Sequence, residues 1–407
     1  MKGSVSRAIH AKMRASAGRA ATDKDCSGTA KRTDREDGEL SAPSNGDKKG
    51  AAVTAQRQSD TDKKVEPASR GWGQAASLTQ AKLPVLAVRA GRGEATSVLI
   101  ATLALIAFIS ILHPEFFQVG QLLDTLQSSV YVGLLACGMA YLLSMREIDL
   151  SVGSTFGLTV IATGLLMNHG MPAWPAAGLG ILLGGALGLV NALIVQFVGI
   201  PAIVATLATL SVFRGLTLAL SDGRQVTGLP LESSFFTILG GKTLGVPTSV
   251  WVLILVAVVL TLVLRFTPFG YRVRSIGSNP DAATFSGISI PKVRMQALVL
   301  IGILAGISGV LGLAFFTSGD PNIGTGFELQ AIAAAIIGGT PLRGGSATVI
   351  GACLGAILLS VVTSGLQYFN IPANWSAFAT GGVILAAVAL DSLVRRRRQR
   401  ESAKLGL

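Results

Sequence analysis

From Thr96 onward the sequence alternates long apolar runs with short stretches of Pro, Gly and charged residues. A membrane-spanning helix needs about 20 residues, with a range of about 17–25. The pattern predicts ten such spans, at 96–112, 125–144, 152–167, 176–198, 202–220, 249–266, 295–316, 330–340, 348–368 and 376–394. The third and eighth are short for the purpose. Residues 1–93 lack sustained apolar periodicity and are rich in Ala, Ser, Gly, Asp, Lys and Arg. Such a segment buries too little surface to offset its chain entropy. The expected organisation is therefore a disordered basic cytoplasmic tail (1–93), an all-α polytopic transmembrane bundle (94–395) and a basic cytoplasmic C-terminal tail (396–407).

Composition agrees with this pattern. Half of the 407 residues are hydrophobic and 14% are charged, against roughly 25% charged in soluble domains. Lipid is the natural solvent for the excess apolar surface. The net charge of +12 raises the question of nucleic acid, but residues 1–93 hold 18 Lys/Arg against 10 Asp/Glu, so the basicity is concentrated in the tail. Lys and Arg favour cytoplasmic loops. With the N-terminus inside, Arg146, Arg265, Arg272, Arg274, Lys292, Arg294, Arg343 and the C-terminal cluster from Arg395 all fall inside. Arg224 and Lys242 fall outside, and Arg214 lies within the fifth span. The charge is thus an orientation signal. It predicts a membrane protein with both termini cytoplasmic, embedded in membrane lipid and binding no nucleic acid.

The first 22 residues contain Arg and no acid, as organellar transit peptides do. A solvated tail, or a gene start placed too early at Met1, is the preferred reading. No apolar core follows the early positive charges, so no secretory signal is expected. Cys26, Cys137 and Cys353 are far apart along the chain and form no CxxC, which gives neither a disulfide framework nor a zinc site.

Gly184 and Gly188, Gly302 and Gly306, and Gly351 and Gly355 form small-xxx-small pairs, which let helix backbones approach closely inside lipid. They indicate one packed bundle. A faint internal repeat accompanies them. Asp149-Leu150 opens the third span and Glu328-Leu329 the eighth; Ile200-Pro201-Ala202 opens the fifth and Ile371-Pro372-Ala373 the tenth. The matched segments fall on opposite sides of the membrane, as two inverted halves (spans 2–5 and 7–10) would place them.

Chemistry is sparse. Gly241-Lys242-Thr243 ends like a phosphate loop, but Phe236 stands where that loop needs its first glycine. His10, His113 and His169 are scattered. No catalytic constellation, metal site or cofactor site is expected, so the chain reads as a transport subunit and not an enzyme. Carriers driven by protons or sodium usually place carboxylates or histidines within their spans, whereas this interior is expected to be bare of them, with only Arg214 clearly inside a helix. Arg214 either lines a pathway or anchors its helix near the outer face. Gln127, Ser128, Asn191, Thr206 and Thr209 offer weak hydrogen bonds to a hydroxylated solute, or bond a neighbouring helix. The chain has a pathway's architecture and no visible energy source, so a partner must drive it unless it is passive.

The cytoplasmic segment between the sixth and seventh spans carries the densest local signal. Asn279 suits an N-cap, Pro280 the first turn and Asp281 the helix dipole, while Gly287 is placed to end the helix. Ala282 and Phe285 share a face at i,i+3. Together with Gly277, Ala283 and Ser286 these residues predict a short rigid helix: a lever for a motor subunit, or an interfacial helix without a partner.

At this point the sequence resembles a known family. Ile148-Asp149-Leu150-Ser151-Val152-Gly153-Ser154, Ile200-Pro201-Ala202-Ile203-Val204-Ala205-Thr206-Leu207, Phe213-Arg214-Gly215, the 269–288 segment, Gly324-Thr325-Gly326-Phe327-Glu328-Leu329 and Ile336-Ile337-Gly338-Gly339-Thr340 are similar to the permeases of ribose-type ABC importers. The similarity runs from about residue 96 to 394 in the same motif order. It implies a monosaccharide permease subunit working by alternating access, with a second permease copy or paralogue, cytoplasmic ABC ATPase subunits and a periplasmic sugar-binding protein. In that family the segment matching Asn279–Ile288 would dock on the ATPase. Arg146-Glu147 replaces residues that are more often small in ribose permeases. With Gly228-Leu229-Pro230 and Ile371-Pro372-Ala373-Asn374-Trp375 it looks more like the rhamnose and autoinducer-2 branch. The alternatives are a branched-chain amino acid permease of the same superfamily and a self-sufficient secondary sugar carrier.

Overall fold

The computed structural model describes residues 83–372 and, beyond them, Trp375, Phe378, Gly381, Gly382, Leu385 and Ala389. Most of the predicted tenth span, the C-terminal tail and the N-terminal tail up to residue 82 lie outside the described residues. Among those described, the helices in chain order are α1 (Leu83–Leu112), α2 (Val119–Ser144), α3 (Val152–Asn168), α4 (Ala173–Val198), α5 (Ala202–Leu220), α6 (Ser234–Leu239), α7 (Thr248–Phe266), α8 (Pro268–Ser278), α9 (Pro280–Phe285), α10 (Ile290–Phe316), α11 (Phe327–Ile337) and α12 (Val349–Tyr368). Between α6 and α7, β1 (Lys242–Thr243) pairs antiparallel with β2 (Val246–Pro247). Lys242 and Thr243 are therefore hairpin residues and form no phosphate loop.

Among the described residues, seven helices are long and apolar enough to cross a membrane. The chain is an all-α polytopic bundle. α1 starts within the stretch assigned to the tail, and its membrane-crossing part is Ala95–Leu112. Two predicted spans are shorter: α3 has 17 residues and α11 has 11. At 1.5 Å per residue α11 is about 16 Å long, well short of a hydrocarbon core of about 30 Å. It also begins three residues earlier than expected. Gly326, at φ +83°, turns the chain into the helix before Phe327, and Gly339, at φ +94°, follows its end. The shift brings Glu328 into the helix.

Apolarity alone cannot order these helices, because lipid tails solvate them as well as neighbouring helices do. Backbone approach does. On α4, Gly184 lies on Gly302 and Gly306 of α10, and Gly188 lies on the Leu298 carbonyl; a Cβ on either would overlap the partner's backbone. On α12, Gly351 lies against Gly338, and Gly355 against Ala334 of α11. The paired glycines of the sequence are thus contact surfaces, and each stripe has a partner helix.

The neighbours repeat. α10 packs on α3 and α4, α2 packs on α11 and α12, and α2 and α10 pack on each other at the centre. Exchanging α2 with α10, α3 with α11 and α4 with α12 maps this set of contacts onto itself. α2 is buried along most of its length, whereas the Ala95–Leu112 part of α1 is mostly exposed. This matches the internal repeat for the first three helices of each half; most of the tenth span is not described.

Gly188→Val should separate α4 from α10 and lower stability by about 1–3 kcal/mol or more. Gly178→Ala on the same helix meets no atom within 4 Å and should be neutral or stabilising by up to about 1 kcal/mol. Thermal unfolding of the two variants in detergent compares them.

Candidate functional site

The loop from Met145 to Ser151 enters the bundle and places an acid at the start of α3. The Asp149 side chain is buried. Its Oδ1 accepts from the Ser151 amide at 2.8 Å and the Ser151 hydroxyl at 2.7 Å. The Asn191 amide of α4 donates to Ser151 Oγ at 2.7 Å and reaches Asp149 Oδ2 at 3.5 Å. Thr209 of α5 donates to Asn191 Oδ1 at 2.7 Å, and Thr206 Oγ1 accepts from the Leu150 amide at 3.1 Å. Of the predicted polar residues, Asn191, Thr206 and Thr209 therefore meet at one junction of α3, α4 and α5. Burial pushes the Asp149 carboxyl above the usual aspartate range, and its hydrogen bonds to Ser151 and Asn191 oppose that shift. A carboxylate at this helix start also complements the α3 dipole.

The second short helix is entered in a corresponding way. In the 317–326 loop Asp320 Oδ1 accepts from the Asn322 amide at 2.7 Å, the same i,i+2 turn that Asp149 makes with Ser151. The Arg214 guanidinium, about 18 Å along α5 from its start, donates to the carbonyls of Pro321 at 3.1 Å and Ile323 at 2.9 Å. The Glu328 and Asp320 carboxylates act on its charge. The first turns of α3 and α11 face one another: Gly153 lies against the Glu328 carboxylate and the Gly324 carbonyl, and the rings of Phe156 and Phe327 are 5.2 Å apart. Gly157 lies beside Ile323 O and Arg214. The expectation of an interior without carboxylates is corrected here, because the early start of α11 carries Glu328 inward beside α3.

The remaining predicted polar residues serve packing. Gln127 donates to the Tyr131 hydroxyl and accepts from Ser249 of α7. Ser128 bonds its own helix at Asp124 O. The thiols of Cys137 (α2) and Cys353 (α12), separated by 216 positions in sequence, stand 3.2 Å apart as free cysteines. Among the described residues no cluster of three or more His, Cys, Asp or Glu could hold a metal ion.

The predicted lever is formed by two helices. α8 leads into α9, whose N-cap Asn279 accepts from the Ala282 amide at 3.1 Å. Pro280 and Asp281 occupy its first turn, and Ser286 is its C-cap. The amides of Gly287 and Ile288 bond back to Thr284 and Ala283, with Gly287 at φ +79°; this is the left-handed stop that ends many helices. Ala283 is buried, whereas Phe285 is 92% exposed. Gly277, at the end of α8, packs directly on the Ser144 carbonyl and the Gly345 amide. A cavity of about 500 Å³ opens between the end of α4, the 199–201 turn and the start of α10, lined by Glu147, Val195, Gln196, Pro201, Arg294 and Met295.

Known proteins share this sequence. A family model described as the permease component of branched-chain amino acid transport systems matches residues 121–388. The ribose import permease of Escherichia coli K12 is 35% identical over 72% of this chain and 92% of its own length. The chain belongs to the ribose-type permeases of ABC importers. The autoinducer 2 import permease of Photorhabdus laumondii is 34% identical, covering 73% of this chain and 89% of the relative. The L-arabinose permease of Azospirillum brasilense is 33% identical, covering 76% and 90%. No solved structure matches. This permease is a multi-pass membrane protein and a transport component.

Several residues that organise the permease were not named from sequence as site residues. Asp149 and Ser151 carried a signal, since Asp-x-Ser before an apolar run is a helix-start pattern. Asp149 and Glu328 were matched only as marks of the repeat, and the pairing of Glu147 with Arg294 carried no signal because it joins distant segments. Asp149→Ala would strip acceptors from Ser151 and Asn191 and should cost on the order of 3 kcal/mol, while Asp149→Asn keeps one acceptor and costs less. Folded Asp149 holds its proton more tightly than the unfolded chain does. Its contribution is therefore greatest below the unfolded value of 3.8 and falls as pH rises through the raised folded value. That slope should disappear in Asp149→Asn, as read from thermal unfolding in detergent at a series of pH values.

Proposed function

We propose that this permease carries a monosaccharide or similar small polyol across the bacterial cytoplasmic membrane, as one membrane subunit of an ABC importer. Both termini face the cytoplasm, as the Lys/Arg distribution favours. A periplasmic binding protein delivers the solute, and two cytoplasmic ATPases drive the cycle. A second permease, identical or paralogous, completes the pathway. The observation that carries this reading is the near full-length similarity to permeases named for ribose, autoinducer 2 and L-arabinose, joined to an exposed and firmly capped helix α9. The family model also bears the name of amino acid permeases, but those relatives are sugar and autoinducer permeases.

The α4–α10 and α2–α12 contacts each join one half of the chain to the other. That interlock favours movement of the chain as one body, with alternation between two permeases. The facing first turns of α3 and α11, with Glu328 and Arg214 beside them, are the part of the pathway suited to hydroxylated solutes. They combine two helix N-termini with a carboxylate and a guanidinium.

Proteoliposomes holding the full-length chain with its ATPase and binding protein should take up one of labelled D-ribose, L-rhamnose, L-arabinose or autoinducer 2 in an ATP-dependent manner. Uptake of leucine alone, or sugar uptake without ATPase, would overturn the reading. In the same complex Phe285→Asp should abolish co-purification of the ATPase while the fold and solute capture by the binding protein persist. Gly287→Val, strained by about 1–2 kcal/mol at its positive φ, should weaken docking and uptake.

A further inference from the structure

We infer that the adjacent residues Arg146 and Glu147 hold the two flanks of the 279–287 segment and transmit its displacement to the Asp149 junction. This rests on the proposed role of that segment as the ATPase contact. On the leading flank, Arg146 Nε donates to the Gly277 carbonyl at 3.0 Å and Nη2 to the Ser278 carbonyl at 3.2 Å. These are carbonyls at the end of α8, which a guanidinium both caps and complements in charge. On the trailing flank, Glu147 Oε1 meets Arg294 Nη2 at 2.5 Å. Arg294 lies near the start of α10, the helix that follows the segment. Neighbouring residues of one turn therefore grip the chain before and after α9.

That turn is itself fixed. The amides of Met145, Arg146 and Glu147 bond to carbonyls of Leu142 and Leu143 in α2, and the Gly345 amide donates to the Ser144 carbonyl at 2.9 Å. Gly277 packs on Ser144 so closely that no side chain fits between them. Arg146 is held at φ +65°, where a non-glycine residue is strained. Two residues beyond Glu147 is Asp149, whose carboxylate fixes the start of α3 and, through Asn191 and Thr209, α4 and α5. A push on α9 thus reaches α8 and α10 first, both of which are tied to the 146–147 turn. Asp149 is two peptide units away. Arg146 and Glu147 are positioning residues: their side chains bond the end of α8 and the start of α10.

The test uses the reconstituted complex and whichever of D-ribose, L-rhamnose, L-arabinose or autoinducer 2 the wild type imports. ATP hydrolysis, uptake and their ratio are measured for Arg146→Gln, Arg146→Lys and Glu147→Gln. ATPase co-purification should persist, while solute moved per ATP hydrolysed should fall at least fivefold in the two Gln variants and by less in Arg146→Lys, which retains one donor. Glu147→Arg combined with Arg294→Glu should recover at least half of the ratio lost in Glu147→Arg alone. An unchanged ratio in all single variants overturns the clamp and leaves the importer reading standing. So does a parallel fall of hydrolysis and uptake without rescue by the charge exchange. A wild-type complex that imports none of these solutes overturns the importer reading, and the clamp with it.

Discussion

Hydrocarbon accepts no hydrogen bonds, and this constraint decides where the chain can leave the helical state. Among the described residues it does so beside the first turns of both short helices, in the loops before α3 and α11. Each loop brings its own means of satisfying polar groups. Before α3, the Asp149 carboxylate takes the Ser151 amide and hydroxyl, and Thr206 takes the Leu150 amide. Before α11, Arg214 reaches across from α5 to the Pro321 and Ile323 carbonyls. Without these partners neither short helix could begin where it does. The central long helices α2 and α10 pack on the two short helices themselves, α2 on α11 and α10 on α3.

Glycine makes that packing possible. At Gly153 and Gly157 the loop before α11 and the Glu328 side chain lie directly on the α3 backbone, and at Gly184, Gly188, Gly302 and Gly306 two long helices touch along their main chains. Such contacts gain dispersion without a hydrophobic drive. They also leave little freedom for helices to slide, which suits a rigid body moved by an external motor. The polar junctions sit beside these contacts, so disturbing either one displaces the other.

Much of this was readable in the sequence because it is local. Apolar run length located the long helices, and Asn279, Pro280 and Gly287 marked both ends of α9, since caps are chosen by neighbours within four positions. The glycine pairs announced close contacts but not their partners. The rest depends on how each helix is rotated. Asn191 and Thr209 look like candidate solute contacts until the fold turns both toward Asp149, 42 residues from Asn191. The Cys137 and Cys353 thiols become neighbours only through α2–α12 packing. Arg146 finds its carbonyls 131 and 132 positions away. The eighth span was misplaced for a subtler reason: hydropathy averages over a window, whereas the start of α11 is set by the backbone conformation of the single residue Gly326.

Arg146 illustrates a conflict between backbone and side chain at one position. Its left-handed conformation would suit glycine, and a glycine there would relax the turn by about 1 kcal/mol. The same replacement would leave the end of α8 without its two guanidinium donors. Drift toward the locally comfortable residue and selection for a stiff joint therefore pull in opposite directions at residue 146.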